Sequence, residues 1–481
     1  MVSRLAITAL AAALLSACAV GPEFARPDVA TSATFARAPA VEASLPAVAA
    51  DAPFWESFGD PMLSSLVADA LRANHDLRIA LANRDQADAL LRGTRFDRLP
   101  TLTADARAAD VRSSADQLPG VSRNDRDART YDAGIAASWE LDLFGRIRRG
   151  VEASTAEAEA SAADLRAAQV AVAGDVAASY VELRGLQERL RVARANRDNQ
   201  QRTLDLVQAR VDAGSSSDFD SARARAQRDA TAARIPALEA AEASAMHRIA
   251  VLTGRTPDAL IASLSQAASL PALPTRIAPG TPADMLRHRP DVAAAEARLH
   301  AATARIGVAT ADLFPRITLG GLLGSQAGAA SALFERDSET RLVALGIDWS
   351  FLDVGRVRAR IAASGAAGDA ALAQYQQSVL RALQDTEDAL VRLDRVGQED
   401  ALLQRAAQDS ARAAELARVR YQAGATGLFE MLDVERGQLQ AEDAFADVRA
   451  RSALNAIALY KALAGGWPQS LPTRESVANR R

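Results

Sequence analysis

The chain reads Trp139-Glu140-Leu141-Asp142-Leu143-Phe144-Gly145-Arg146-Ile147-Arg148 and repeats this pattern further on as Trp349-Ser350-Phe351-Leu352-Asp353-Val354-Gly355-Arg356-Val357-Arg358. Each copy follows a segment in which apolar and polar side chains alternate, and each precedes a long helical pattern. The distances beyond them agree as well, because 69 positions separate Gly145 from Gly214 and Gly355 from Gly424 (214 − 145 and 424 − 355). A repeat of this length predicts a duplicated structural unit whose shape decides what it does.

The composition is that of a folded, helix-rich protein. Of 481 residues, 49% are hydrophobic, 24% are charged and 4% are aromatic, and alanine supplies much of the apolar share. Alanine favours helix and close packing between helices over a large globular core. The net charge of −4 gives no reason to expect a nucleic-acid partner, because phosphate binding needs a basic excess.

The first residues have the layout of a secretory signal. Arg4 comes early, an apolar run occupies residues 5–15, and the segment ends in Leu15-Ser16-Ala17-Cys18. This ending resembles the bacterial lipoprotein box, so residues 1–17 are predicted to be removed and Cys18 to carry a covalent lipid. A plain signal peptide with an incidental cysteine is the alternative. By the rule for lipoproteins, Ala19 in place of Asp implies the outer membrane.

Residues 18–53 are rich in proline and alanine, and they are predicted to form the lipid anchor and an extended tether. The apolar run of the signal is too short to span a bilayer, and no later stretch has the necessary ~20 uncharged apolar residues. Any further membrane contact therefore has to come from strands.

Strand-like alternation precedes both copies of the repeated stretch. Apolar side chains occupy every second position in residues 131–141 and again in residues 343–351. This is the length and pattern of a membrane strand with lipid on one side and water on the other. An ordinary half-buried hairpin of a soluble protein is the alternative. Trp139 and Trp349 close the apolar faces where an interfacial aromatic residue belongs.

A long helix is predicted after each Gly-Arg pair. About 68 residues at 1.5 Å each give roughly 100 Å of helix, which is too long for a compact domain. The helices end at turns that contain Gly214 and Gly424, and a shorter helix of roughly 36 residues returns from each turn. These patterns divide the chain into a first repeat at 54–254, a proline-rich linker at 255–282, a second repeat at 283–467 and a polar C-terminal tail at 468–481.

Each repeat supplies two strands, because weaker alternation also occupies residues 102–108 and the segment after Pro315. Four strands cannot close a barrel, and an open sheet edge cannot face lipid because its unpaired backbone groups would have no partner. Oligomerisation is therefore required if the strands lie in a membrane. Three chains would give twelve strands.

Several short motifs point to one family. They are the lipoprotein box followed by Gly21-Pro22-Glu23-Phe24, then Phe54-Trp55, Phe58-Gly59-Asp60-Pro61, Arg289-Pro290-Asp291-Val292, Leu313-Phe314-Pro315 and Ala458-Leu459-Tyr460-Lys461-Ala462-Leu463-Ala464-Gly465-Gly466-Trp467. With them the chain resembles the TolC-like outer-membrane factors, in particular the NodT-type outer-membrane efflux lipoproteins. The resemblance covers nearly the whole mature chain.

The resemblance implies a mainly α protein with a membrane β part. It also implies a trimeric channel of the kind that members of this family form. In that channel a shared twelve-stranded outer-membrane β-barrel, four strands per chain, continues into a long periplasmic α-helical barrel. Such channels act as passive exit ducts of tripartite pumps, which carry drugs or other small toxic compounds out of a Gram-negative cell. The implied partners are a periplasmic adaptor protein, an inner-membrane transporter of the RND type and outer-membrane lipid. No cofactor or metal is implied.

The resemblance also implies a gate where the long helices turn. Glu430 and Asp433 match the two ring acids of TolC, with Glu in place of one Asp. Because they are three positions apart, they share a helix face and can both point into a bore. In a trimer, these carboxylates would surround a narrow opening and favour cations. Their mutual repulsion would raise the pKa of some of them. A solvated acidic helix end is the alternative.

A latch that holds the gate closed is implied at Tyr421 and Asp220. They match a family pair that forms a hydrogen bond across helices. The arginine of the TolC latch falls on Thr426, and so does the acid that nearer lipoprotein relatives place two residues after the glycine. The chain therefore departs from the family latch at this position.

Other functional classes are less well supported. His75, His247, His288 and His300 are scattered without metal-ligand spacing, and neither a phosphate-binding loop nor a nucleophile elbow is found, so no catalytic or metal residues are predicted. A type I protein-secretion duct and a lipid-anchored coiled-coil scaffold or adhesin remain as alternatives. Ion conductance by a heat-modifiable trimer would exclude the scaffold.

Overall fold

The computed structural model describes residues 19–37, 53–274 and 277–464. Cys18, the signal at 1–17 and the tail at 468–481 lie outside the described residues, so the lipid on Cys18 stays a prediction.

The first half of the described chain forms helices α1 (Pro61–Ala73) and α2 (His75–Phe96), strands β1 (Thr101–Arg112) and β2 (Asp127–Leu141), and helices α3 (Arg146–Asp212), α4 (Asp218–Ala232), α5 (Ile235–Leu252) and α6 (Ile261–Leu264). The second half forms helices α7 (Pro282–His288) and α8 (Pro290–Ala311), strands β3 (Arg316–Ala327) and β4 (Glu339–Asp348), and helices α9 (Val354–Gln422) and α10 (Leu428–Leu463). Both halves therefore begin with the same order of two helices, two strands and one long helix.

The sequence Asp60-Pro61 predicts a helix that Asp60 caps, and the helix begins there but ends early. The carboxylate of Asp60 accepts hydrogen bonds from the backbone N–H groups of Met62 and Leu63 at 2.8 and 3.0 Å, and Pro61 occupies the first turn. The helical spacing of apolar residues continues to about Leu99 and predicts one helix, which is wrong because the structure has two. Asn74 has extended backbone angles, and its side-chain oxygen accepts from the N–H of Asp76 at 2.8 Å, so it caps a new helix.

The four strands form one antiparallel sheet in the order β1-β2-β3-β4. The central pair joins the two repeats, with Trp139 opposite Leu319 and Tyr131 opposite Ala327. Strands β1 and β4 are the edges, and much of both faces is exposed in the single chain. Four strands per chain are thereby confirmed.

The fourth strand ends before the predicted position. Alternation predicted a strand through Phe351, but β4 ends at Asp348, and Phe351–Asp353 form a turn of 3-10 helix. Ser350 has φ −82° and ψ 37°, which is outside the extended region and stops the strand. Trp349 therefore follows β4, whereas Trp139 lies within β2.

The long helices have the predicted extent. Helix α3 has 67 residues and α9 has 69, which corresponds to about 100 Å of helix each. None of the helices in the described part of the chain is both long enough and apolar enough to cross a membrane.

The two returning arms differ, and the sequence patterns did not predict this difference. Helix α10 is continuous over 36 residues, whereas the first arm is divided into α4 and α5 around Ala233 and Arg234. Pro236 explains the break. It has no N–H to donate, and its ring disfavours helical continuation through the preceding turn.

Contacts divide the chain into two compact units that cut across the repeats. Of the described residues, one contains 19–28, 84–161 and 294–376, including the sheet. The other contains 29–37, 53–83, 162–274, 277–293 and 377–464, including the turns at the ends of the long helices. Each repeat contributes to both units. The boundaries of the repeats at 54–254 and 283–467 stay predictions.

Candidate functional site at the hairpin tips

The two tip turns have the same backbone geometry. Gly214 has φ +70° and Gly424 has φ +71°, and in each turn the residue after the glycine donates to a carbonyl five positions back. These bonds are Ser215 N to Arg210 O and Ala425 N to Arg420 O, both at 2.8 Å. This is the Schellman ending of a helix, which needs a left-handed residue after the last helical position. The glycines are therefore required by their backbone angle.

The helices that leave the turns begin differently. Ser217 caps α4 in a capping box, because its hydroxyl accepts from the N–H of Asp220 and the Asp220 carboxylate accepts from the N–H of Ser217. Hydrogen bonds from the side chain and backbone of Ser217 and from the Ser216 hydroxyl hold the pKa of Asp220 below its ordinary value. Helix α10 instead starts after Gly427, which offers no side-chain cap.

An apolar tip cluster joins the two hairpins. Tyr421 of α9, which is 4% exposed, lies in it beside residues from the other long helix, α3, and from both returning arms. The other members are Leu204, Val207, Ala224, Leu428, Met431 and Leu432. The guanidinium of Arg210 lies 4.3 Å from the centre of the Tyr421 ring and donates to the Tyr421 carbonyl at 3.1 Å. The tips of the two repeats are therefore packed into one structure.

The structure places the two predicted latch residues in separate local networks. Tyr421 packs in the tip cluster, and Asp220 is held by Ser216 and Ser217. Within the described residues of this chain no hydrogen bond joins the two side chains. The latch between them stays a prediction.

The predicted ring acids lie on the first turns of α10. Both Glu430 and Asp433 are exposed. The Thr426 hydroxyl donates to Glu430, and Arg436 forms an ion pair with Asp433. That both carboxylates line a bore stays a prediction.

An exposed aromatic pair at the tip was missed from the sequence. Phe219 and Phe429 each come five positions after a tip glycine, and they are 67% and 63% exposed. The guanidinium of Arg223 lies 5.7 Å from the first ring and 4.6 Å from the second. The equal spacing from Gly214 and Gly424 was the signal that could have identified them.

The sequence reasoning also missed a buried acid near the tip. Glu435 is 3% exposed and contacts Thr203 on α3 and Arg418 on α9. Its position continues the apolar stripe of Leu428, Leu432 and Leu439. A charged residue within such a stripe is unusual and could have been recognised as a buried group.

The junctions between strand and helix, predicted at Gly145 and Gly355, differ in the structure. Gly145 has φ +82°, and a Cβ there would lie 2.7 Å from the Ala19 Cα atom. The Asp142 carboxylate accepts from the N–H groups of Ile147 and Arg148 at 3.0 and 2.9 Å, so it caps α3. Gly355 lies inside α9, after its first residue, and has open space around it.

The tryptophans of the two copies of the repeated stretch make equivalent hydrogen bonds. The indole N–H of Trp139 donates to the Arg98 carbonyl at 3.1 Å, and that of Trp349 donates to the Leu313 carbonyl at 3.0 Å. Each acceptor lies a few residues before the adjacent strand of the same repeat. The tryptophans therefore fix the entry of β1 and of β3.

A docked N-terminal segment was not predicted. Gly21 packs so closely on Gly307 that a Cβ at position 21 would lie 2.4 Å from the Gly307 Cα atom. Glu23 forms an ion pair with Arg149, which is 3% exposed, and the Phe24 ring stacks on His300 with centroids 4.4 Å apart. The motif Gly21-Pro22-Glu23-Phe24 is thus a packing motif.

The comparisons with known proteins agree with one another. The family described as "Outer membrane efflux protein" matches residues 66–255 and 281–465. The pyoverdine export outer membrane protein OpmQ of Pseudomonas putida is 34% identical over 430 residues, covering 88% of this chain and 90% of that protein. Outer membrane protein OprJ of Pseudomonas aeruginosa is 32% identical over 474 residues and 96% of each chain. The solved outer-membrane channel OprN is 40% identical with a TM-score of 0.88, covering 94% of this chain and 100% of that one.

Proposed function

Because the chain belongs to the outer membrane efflux protein family, and is thus an outer-membrane efflux channel, we propose that it is the exit duct of a tripartite pump for drugs or other small toxic compounds. The observation that supports this best is that α3 and α9 each come after a strand of one four-stranded sheet and end at turns that meet in one tip cluster. In a ring of such chains, the strands and helices would enclose a path for solutes. We propose no catalytic step.

A homotrimer is part of this proposal. Strands β1 and β4 have no partner on their outer sides within the described sheet. Backbone groups at these edges would be unsatisfied in lipid, and edges are avoided by closing the sheet into a barrel. Three chains of four strands would pair every edge and give the twelve strands of the family.

The gate of the proposed duct is placed at the tips. Glu430 and Asp433 would contribute two carboxylates per chain to a ring around the opening, and the pair of Tyr421 and Asp220 would hold the closed state between hairpins. Replacing Tyr421 with Phe and Asp220 with Ala should raise the single-channel conductance in a planar bilayer. Phe removes only the hydroxyl and keeps the ring in the tip cluster, so a raised conductance would not result from lost packing. Unchanged conductance would argue against the latch.

The partners of the duct are proposed by class. A periplasmic adaptor would dock on the helical part, and an inner-membrane transporter, of the RND type, would supply the substrate. Outer-membrane lipid would surround the strands, and a lipid on Cys18 would anchor the chain. Pulling down the tagged protein after chemical crosslinking in cells should recover an adaptor of this class.

Deleting the gene and profiling sensitivity to drugs, solvents, detergents and metal ions tests the function. The deletion should become sensitive to several unrelated compounds, and the wild-type gene should restore resistance. Secreted small metabolites belong in the profile, because OpmQ is named for pyoverdine export. An unchanged profile with loss of a secreted protein would indicate a type I secretion duct. A monomer without conductance would indicate a scaffold.

A further inference from the structure

A carboxylate with one unpaired oxygen lies on α10, about one turn after the last residue of the tip cluster. Oε1 of Glu435 accepts a hydrogen bond from Thr203 Oγ1 at 2.9 Å and lies 3.4 Å from Arg418 Nη2. Its Oε2 is buried and has no hydrogen-bond partner among the described residues. Leaving a buried carboxylate oxygen without a donor is unfavourable. The ionised side chain is therefore a source of strain between α10, α3 and α9.

The contact between α3 and α10 is polar along several turns around this point. One turn before Thr203, Gln200 is 2% exposed, and neither atom of its amide has a partner in the described chain. Further along, the Asn196 amide donates to Glu442 at 2.7 Å. Unlike the apolar tip cluster, this polar seam would gain hydrogen bonds to water when the helices separate.

We propose that Glu435 makes the gate responsive to pH. An ionised Glu435 favours separation of α10 from α3, and a protonated Glu435 favours the packed tip. The inference rests on the proposed function for its consequence in the channel, but the separation of the helices can be measured by itself.

The surroundings of Glu435 decide the direction of the response. Helix α9 contributes Arg418, which is the one charged group that acts on Glu435 within the described residues, and α3 contributes the neutral Thr203. Burial raises the pKa of Glu435, and the bonds from Thr203 and Arg418 offset this only in part. Arg418 is one third exposed, so solvent screens its charge.

The sign follows from linkage. Because the pKa is raised in the packed state, the packed tip binds the proton more tightly than an opened tip does. The stabilisation by this proton is complete below the ordinary carboxyl pKa and is lost as the pH rises through the raised pKa. Acidification should therefore close the tip, and neutral pH should loosen it.

Hydrogen exchange of the purified full-length protein in lipid nanodiscs tests the inference directly. Rates for residues 196–210 and 428–442, normalised to intrinsic exchange at each pH, should show a loss of protection between pH 5 and pH 8. The variant Glu435→Gln should show no such change. The matched control Asp447→Asn removes a carboxylate from the same helix, away from the tip and 44% exposed, and should keep it.

A second variant covers failure of Glu435→Gln to fold. Thr203→Val retains the carboxylate but removes its neutral donor, so the midpoint of the protection change should move to higher pH. A purely structural role of Thr203 would lower protection equally at every pH. A wild-type protein without pH dependence, or a Glu435→Gln protein that keeps it, would overturn the inference.

Bilayer recording separates this inference from the proposed function. Open probability should rise from pH 5 to pH 8 in the wild type and stay constant in Glu435→Gln. If no variant conducts while exchange still responds to pH through Glu435, the channel proposal fails and the pH response stands. If channels conduct without dependence on Glu435, the pH response fails and the channel proposal stands.

Discussion

The two repeats agree at their tips and differ at the ends that meet the sheet. Gly214 and Gly424 have φ angles of +70° and +71°, and both turns close with the same hydrogen bonds. At the junctions Gly145 is left-handed, whereas Gly355 is an ordinary helical residue. The tip turns are local structures that the sequence around each glycine determines alone. The junctions depend on what packs beside them, and only Gly145 has the N-terminal segment within contact distance.

A similar contrast exists between backbone and side chains at the tips. The turns are alike, but the tip cluster uses unlike residues from the two repeats. Three positions before its glycine, the second repeat has the buried Tyr421, and the first repeat has the partly exposed Val211, which lies outside the cluster. Equal turns therefore do not imply equal contributions to stability.

The largest predicted effect concerns this unequal pair. Replacing Tyr421 with Ala should destabilise the tip by about 3–5 kcal/mol, because a buried ring is lost and a cavity remains. Replacing Val211 with Ala should cost about 1 kcal/mol or less. Hydrogen exchange of the segments 204–232 and 416–436 measures both. Equal losses would mean that the cluster is shared evenly between the repeats.

The next effect concerns the junction glycines. Gly145→Ala should lower stability by about 1–3 kcal/mol, because the backbone is left-handed and the new Cβ meets Ala19. Gly355→Ala should raise stability by about 0.4–1 kcal/mol, because Gly355 has ordinary helical backbone angles and alanine reduces the conformational freedom of the unfolded chain. The thermal dissociation of the oligomer checks both variants. Opposite signs are expected, and a common sign would contradict the difference in geometry.

The smallest effect concerns the two caps beyond the tip turns. Ser217→Ala should cost about 1 kcal/mol of local stability, whereas Gly427→Ser should add a few tenths by supplying the missing cap. Hydrogen-exchange protection of the amides in the first turn of α4 or α10 measures the two effects. Because the pKa of Asp220 is lowered, the support from its ionised carboxylate is present at neutral pH and is lost as the pH falls through that lowered pKa. The cost of Ser217→Ala should accordingly shrink in acid.

Much of the fold could be predicted because its signals are local and repeated. Alternation predicted the strands, and spacing predicted the tip turns. Two breaks were missed although each depends on one residue. Asn74 stands within an apolar stripe but caps a new helix, and Pro236 lies early in a helical pattern that it interrupts.

The contacts between repeats could not be predicted from local patterns. The apolar stripe marks Glu435 as buried, but its partners could not be predicted, because Thr203 is distant in sequence and Arg418 lies on another helix. The docking of Glu23 on Arg149 is equally distant. Whether Glu430 and Asp433 face a bore depends on neighbouring chains, so one sequence and one chain leave it a prediction.

The strand order has a consequence for how such a ring can have arisen. The seam between β2 and β3 joins the first repeat to the second within one chain. In a closed trimer, β4 of each chain would pair with β1 of the next, so that seam also joins a second repeat to a first. Contacts within one chain and contacts between two chains would then alternate around an approximately sixfold ring. Duplication of an ancestral two-stranded half would have tied the halves in pairs, after which the alternate seams, the junction glycines and the returning arms were free to diverge.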